Sequence, residues 1–218
     1  MPETGTVDTC GLTSEKNALK LLRLMNPSMK GLLMTDILVR FCEQIPYAFV
    51  VVWCMKIITE PVTALQFGAL TTIEMTTAVL VYIPVAYLAD RTTNNPFVII
   101  TFFFFSLFPL VLLYSQSIQW LVFAFILRGL KAFGEPTRKA LIMDLSPDSC
   151  KAGMFGFYYL IRDIFVAIAA LGGAFLWQIS LQVNLITAFA FGIIGTLGFW
   201  LFGLDIQVPS TDKEAPND

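Results

Sequence analysis

Six apolar runs, each close to the length that crosses a bilayer, occupy residues 30–54, 63–89, 96–115, 118–143, 152–178 and 181–204. A hydrocarbon core about 30 Å thick needs roughly 20 apolar residues per helix, and backbone polar groups inside it must be satisfied within the segment. A chain of 218 residues built almost wholly from such runs has little left from which to make a water-soluble surface. Only 14% of its residues are charged, where a soluble domain carries about a quarter. The expected fold is therefore an all-α integral membrane bundle of six helices.

Breakers fall between the runs: Glu60-Pro61, Asn94-Asn95-Pro96, Ser115-Gln116-Ser117, Ser146-Pro147-Asp148 and Ser180. They predict an amino-terminal tail or linker over 1–29, a membrane domain over 30–205 and a short polar tail over 206–218. Residues 1–28 lack the apolar core of a cleaved signal, so the first span is expected to direct insertion itself. Lys16, Lys20, Arg23, Lys30, Arg91, Lys139, Lys151 and Lys213 lie on one side of the spans, and only Lys56 lies in the opposite loops. By the positive-inside rule both termini are expected in the cytoplasm, in a multi-pass protein of the plasma or inner membrane.

Several chemistries find no support. Cys10, Cys42, Cys54 and Cys150 show no CxxC spacing and the chain has no histidine, so neither a metal nor another cofactor is expected. No HExxH or GxSxG is present, which argues against an enzyme. A net charge of -2 with scattered basic residues argues against a nucleic-acid partner.

The informative residues are charges inside the spans. Asp36, Arg40 and Glu43 are spaced four and three residues apart, on one stripe of the first helix. Arg128, Lys131, Glu135 and Arg138 form a similar stripe on the fourth, Arg162 and Asp163 lie in the fifth and Glu74 in the second. Each ionised group costs about 2.5–3.5 kcal/mol at the bilayer centre against about 0.3–0.6 returned per apolar residue, so these faces cannot point at lipid. The third and sixth spans contain no charge over 102–113 and 185–202, and are expected to face lipid throughout. Helices one, two, four and five then surround a polar interior, which is either a substrate or ion pathway or a set of structural locks between helices. Arg138, Lys139 and Asp144, nearer the cytoplasmic end, are expected to have access to water. Gly129, Gly134 and Pro136 predict close packing and a bend in the fourth span.

Ala86-Tyr87-Leu88-Ala89-Asp90-Arg91, after the second span, resembles the loop signature GxLaDrxGrkxxl of the major facilitator superfamily, with Leu-Ala-Asp-Arg as the matched core. Leu127-Arg128-Gly129, followed by Gly134-Glu135-Pro136, is similar to the family's RxxQGxg segment. The resemblance covers roughly residues 30–205 and implies one six-helix half of that fold, with a second half, or a second copy, completing it. The basic lead-in and short tail favour the carboxyl-terminal half, and the Arg128 segment favours the other. It further implies alternating access about a central site lined by the first and fourth helices. Asp90 and Arg91 become candidates for a cytoplasmic gate, with Arg138 as a partner.

The expected activity is movement of a small solute, coupled to a proton or other ion. Asp36, Arg40, Glu43, Glu74, Arg128, Lys131, Glu135 and Arg162 form the candidate pathway, and Glu43, Glu74 and Glu135 are the candidate proton carriers. The competing reading is a membrane scaffold whose ion pairs only lock helices together.

Overall fold

The computed structural model describes residues 23, 25–89, 95–147 and 151–203. Most of the expected amino-terminal segment, the 206–218 tail, and Asp90 and Arg91 lie outside the described residues. Pro27 opens α1 (Pro27–Tyr47) at the helical position where a missing N–H costs nothing. Pro46 removes a bond from the last turn of α1. The chain resumes as one helical turn, Val50–Val52, and a π-turn, Trp53–Ile57, bent 45° from α1. The first span is thus a kinked pair of helices and not one continuous rod.

Next come α2 (Ala64–Ala89), α3 (Asn95–Tyr114), α4 (Ile118–Leu130), a 3-10 turn (Lys131–Gly134), α5 (Glu135–Asp144), α6 (Lys151–Ile179) and α7 (Leu181–Gly203). The expected fourth span is divided between α4 and α5. Pro136 has no N–H for the carbonyl of Ala132, so the preceding turn tightens to 3-10 and a new helix starts at Glu135 with Pro136 in its first turn. Four helices are individually long and apolar enough to cross a membrane, or five when the bent pair Pro27–Tyr47 and Val50–Ile57 is taken as one span. No strand occurs among the described residues.

The expectation that the uncharged helices lie outside is overturned. Half of the apolar stretch of α3 is buried, against 11% of that of α2. Phe102 and Phe105 of α3, Phe199 of α7 and Leu32 and Val39 of α1 share one core. Ser106 of α3 and Thr196 of α7 are hydrogen-bonded at 2.9 Å. An unbroken apolar surface carries no signal separating lipid from a neighbouring helix, because lipid tails are as apolar as leucine. α2 and α6 instead expose apolar residues such as Val79, Leu80, Ile164 and Ile168.

Glycines set the closest approaches. A Cβ on Gly129 of α4 would stand 2.6 Å from the Glu74 carbonyl oxygen and 2.7 Å from the Thr77 Cβ, and one on Gly173 of α6 would run into the backbone of Ile45. Gly129→Val is therefore expected to push α2 from α4 and cost about 1–3 kcal/mol. Its melting midpoint in detergent should fall; an unchanged midpoint would show that α2 and α4 are not held in register by this contact.

Candidate functional site

The charged stripes of α1 and of the α4–α5 segment face one another, and α2 and α6 contribute to the same cluster. Lys131 donates to Glu43 Oε1 at 2.6 Å and lies 3.5 Å from Glu74 Oε1, which Arg128 approaches at 3.3 Å. Glu43 Oε2 accepts from Arg40 at 2.8 Å, and Arg40 bonds on to Glu135. Arg138 holds both oxygens of Glu135, at 2.9 and 2.8 Å, and bonds to Asp36. Asp36 Oδ2 accepts from the Tyr158 hydroxyl at 3.2 Å and lies 4.0 Å from Arg162. The result is a chain of alternating sign: Arg128, Glu74, Lys131, Glu43, Arg40, Glu135, Arg138, Asp36 and Arg162.

Each residue's place follows from helical spacing. Asp36, Arg40 and Glu43 recur at the four- and three-residue steps that stack side chains on one helix face. Lys131, at the end of α4, shares a face with Arg128 and meets both Glu74 and Glu43, and the 3-10 turn that follows carries the chain on to Glu135 and Arg138, which reach Arg40 and Asp36. All eight expected pathway residues join this one network. A buried carboxylate left alone costs several kcal/mol, and here Asp36, Glu43, Glu74 and Glu135 each touch at least two cationic side chains within 4.0 Å.

Arg138 requires a correction. It was expected near water, yet only 2% of its side chain is exposed and its partners are Asp36, which is fully buried, and Glu135. Lys139 and Asp144 on the same helix are exposed, as expected. One residue step rotates a side chain by about 100° on a helix, so neighbours in sequence can face opposite environments. The expected gate pairing of Arg138 with Asp90 and Arg91 falls outside the described residues.

Sequence reasoning missed the aromatic floor of the site. The guanidinium of Arg40 lies 5.0 Å from the Phe105 ring centroid and that of Arg128 lies 5.2 Å from Phe108. Both rings come from α3, the helix expected to meet only lipid. Phe105 and Phe108 are three residues apart and so share a face, but nothing in a run of phenylalanines marks that face as the one beneath the cations. With Phe104, Glu43, Arg128 and Lys131 they line a recess in the protein surface. Cation–π contacts of this kind contribute about 0.5–2 kcal/mol each and partly replace the water these charges have lost.

Among the described residues, no group of histidine, cysteine, aspartate and glutamate side chains is arranged to hold a metal ion. Buried Cys42 donates its thiol to the Phe105 carbonyl at 3.2 Å, which is a packing role.

Over residues 31–217 the chain matches the family model of the Major Facilitator Superfamily. The chain belongs to this superfamily. No curated protein matches it. As a half-sized Major Facilitator Superfamily domain it is an integral membrane protein of a transporter family, and the family's members are typically transporters and not enzymes. The alternating charges therefore lie inside the membrane domain of a transport protein.

Proposed function

We propose that the chain is one six-helix half of a secondary transporter, moving a small solute by alternating access coupled to a proton or another ion. In this reading the kinked α1 pair is the first span and α4–α5 the fourth. Residues 30–205 form the membrane domain, and both termini face the cytoplasm. Asp36, Arg40, Glu43, Glu74, Arg128, Lys131, Glu135 and Arg162 line the pathway, while Asp90 and Arg91 act with Arg138 on the cytoplasmic side.

The observation that carries the proposal is the shared pairing. Each acid of the network has more than one cation within 4.0 Å, so a contact given up on one side has a second cation nearby to take it over. Such a network has more than one low-energy arrangement, which is what a protein alternating between two states needs. A proton delivered to Glu43, Glu74 or Glu135 removes one negative charge and releases a cation to a new partner. With no histidine in the chain, carboxylates are the groups suited to that task.

The same pairing supports the scaffold reading, since every acid is also locked. The two readings part on flux. Proteoliposomes loaded with a pH-sensitive dye and challenged with a panel of amino acids, sugars and organic acids should show solute-dependent proton entry. Protein-dependent entry with none of the panel, alongside retained assembly after each ion pair is replaced by apolar residues of matched size, would leave only the scaffold. Native mass spectrometry in mild detergent identifies the second half: a dimer makes it another copy of this chain, and a monomer makes it a separate unit.

A further inference from the structure

One end of the network holds more hydrogen-bond donors than acceptors. Around Asp36 stand three guanidinium groups and two phenols, from α1, α5 and α6. Arg138 and the Tyr158 hydroxyl bond to Asp36, while Arg40 Nε and Arg162 Nη1 each stop 4.0 Å short of it. Four buried donors here have no partner among the described residues: Arg40 Nε, Arg138 Nε, Arg162 Nη1 and the Tyr159 hydroxyl. The Arg162 guanidinium lies 4.0 Å from the Tyr159 ring centroid, so two of the four are carried on one stacked pair.

Asp36 and Glu135 lie among the three arginines; Arg40 also donates to Glu43 at 2.8 Å, an acid that Lys131 shares, and Arg162 donates to Asp163 at 2.7 Å, whose side chain is 60% exposed. Unpartnered buried donors are costly, and guanidinium groups in particular match the paired lone pairs of a carboxylate or phosphate. Among the described residues, every acid at this end already accepts from an arginine. The cluster is reached from the surface through Arg40 and Arg162, whose side chains are 20% and 11% exposed.

We infer that Arg40, Arg138, Arg162 and Tyr159 form a subsite for an oxyanion group, carboxylate or phosphate, of the transported solute, with Asp36 as the internal carboxylate that competes for it. This inference rests on the transport reading above and names the class of solute. Asp36 presents to the arginines the same two-oxygen face that the solute presents. Neutralising it therefore strengthens anion binding even as it weakens the resting protein.

The test is thermal unfolding of the full chain in mild detergent, with potassium phosphate or potassium acetate compared against potassium chloride at equal ionic strength. At about ten times the dissociation constant, either oxyanion should raise the wild-type midpoint by about 3–6 °C. Asp36→Asn should melt lower in chloride and recover by a larger shift than wild type in either oxyanion. Arg162→Gln should lose the oxyanion shift. The subsite is overturned if wild type and Asp36→Asn show no shift beyond chloride, or if Arg162→Gln keeps the full shift. Should Asp36→Asn fail to fold, the wild-type and Arg162→Gln comparison decides alone. Stabilisation by phosphatidylglycerol added to the micelle, with none from the soluble anions, would overturn a solute in favour of a lipid headgroup. Because the readout is binding, transport of a neutral or cationic solute without any anion shift would sink the subsite and leave the transport reading standing. An anion shift without flux would sink the transport reading and leave an anion site that serves no transported solute.

Discussion

Arg138→Ala is expected to lower stability by about 3–5 kcal/mol, the cost of removing one partner from a buried ion pair. Arg138 is among the largest fully buried side chains and holds Asp36 and Glu135 together across α1 and α5. Without it, Asp36 keeps only the Tyr158 hydroxyl within bonding distance and Glu135 keeps only Arg40. In a melt the loss should appear as a midpoint lower by about 6–20 °C. The double change Asp36→Leu with Arg138→Met should recover most of it, because two apolar side chains leave no stranded charge. A single mutant melting within a degree or two of wild type would mean that the Arg138 ion pairs do not hold α1 to α5.

Glu43→Gln is expected to act on the other axis, sparing stability and removing activity. Glu43 joins the two halves of the network, accepting from Arg40 at 2.8 Å and from Lys131 at 2.6 Å. Once it is neutral, Lys131 retains Glu74 and Arg40 retains Glu135, so no cation is left without an acid. Glutamine keeps the volume and can still accept a hydrogen bond, which limits the stability change to about 1 kcal/mol. Solute-driven proton entry should nevertheless fall at least about tenfold, a loss of about 1.4 kcal/mol at the rate-limiting step. Unaltered proton entry would remove Glu43 from the pathway.

How much of this was legible beforehand depends on which property each residue used. The stripes of Asp36, Arg40 and Glu43 and of Arg128 to Arg138 were readable because helical spacing is local and a charge in a span is conspicuous. Their joining into one network was foreshadowed by cost, since charged faces that cannot meet lipid must meet each other. The particular partners were not readable, because Glu135 and Arg138 are aimed at Arg40 and Asp36 only after the 3-10 turn that breaks the fourth span. Arg138 was misplaced because nearness to a span end in sequence was equated with nearness to water. Phe105 and Phe108 were missed, and α3 and α7 misjudged, because uniform apolarity has no direction. The family was legible in the Leu88-Ala89-Asp90-Arg91 core, because four residues in fixed order match its loop signature without any knowledge of the fold.

The division of the fourth span also governs how the protein is made. α4 has 13 residues, about 20 Å of helix against a hydrocarbon thickness of about 30 Å, and it carries Arg128 near its end. It is too short to cross alone, and the residues that complete the crossing carry Lys131, Glu135 and Arg138. Its acids are already there. Asp36 precedes Arg138 by 102 residues and Glu43 precedes Lys131 by 88, which at ribosomal speed is about 5–20 s. For that interval Asp36 and Glu43 have only Arg40 of their own helix as a cationic neighbour, and Glu74 has neither Arg128 nor Lys131. Biogenesis of this bundle is therefore ordered from outside: the late-arriving segment enters because its counter-ions have been held for it.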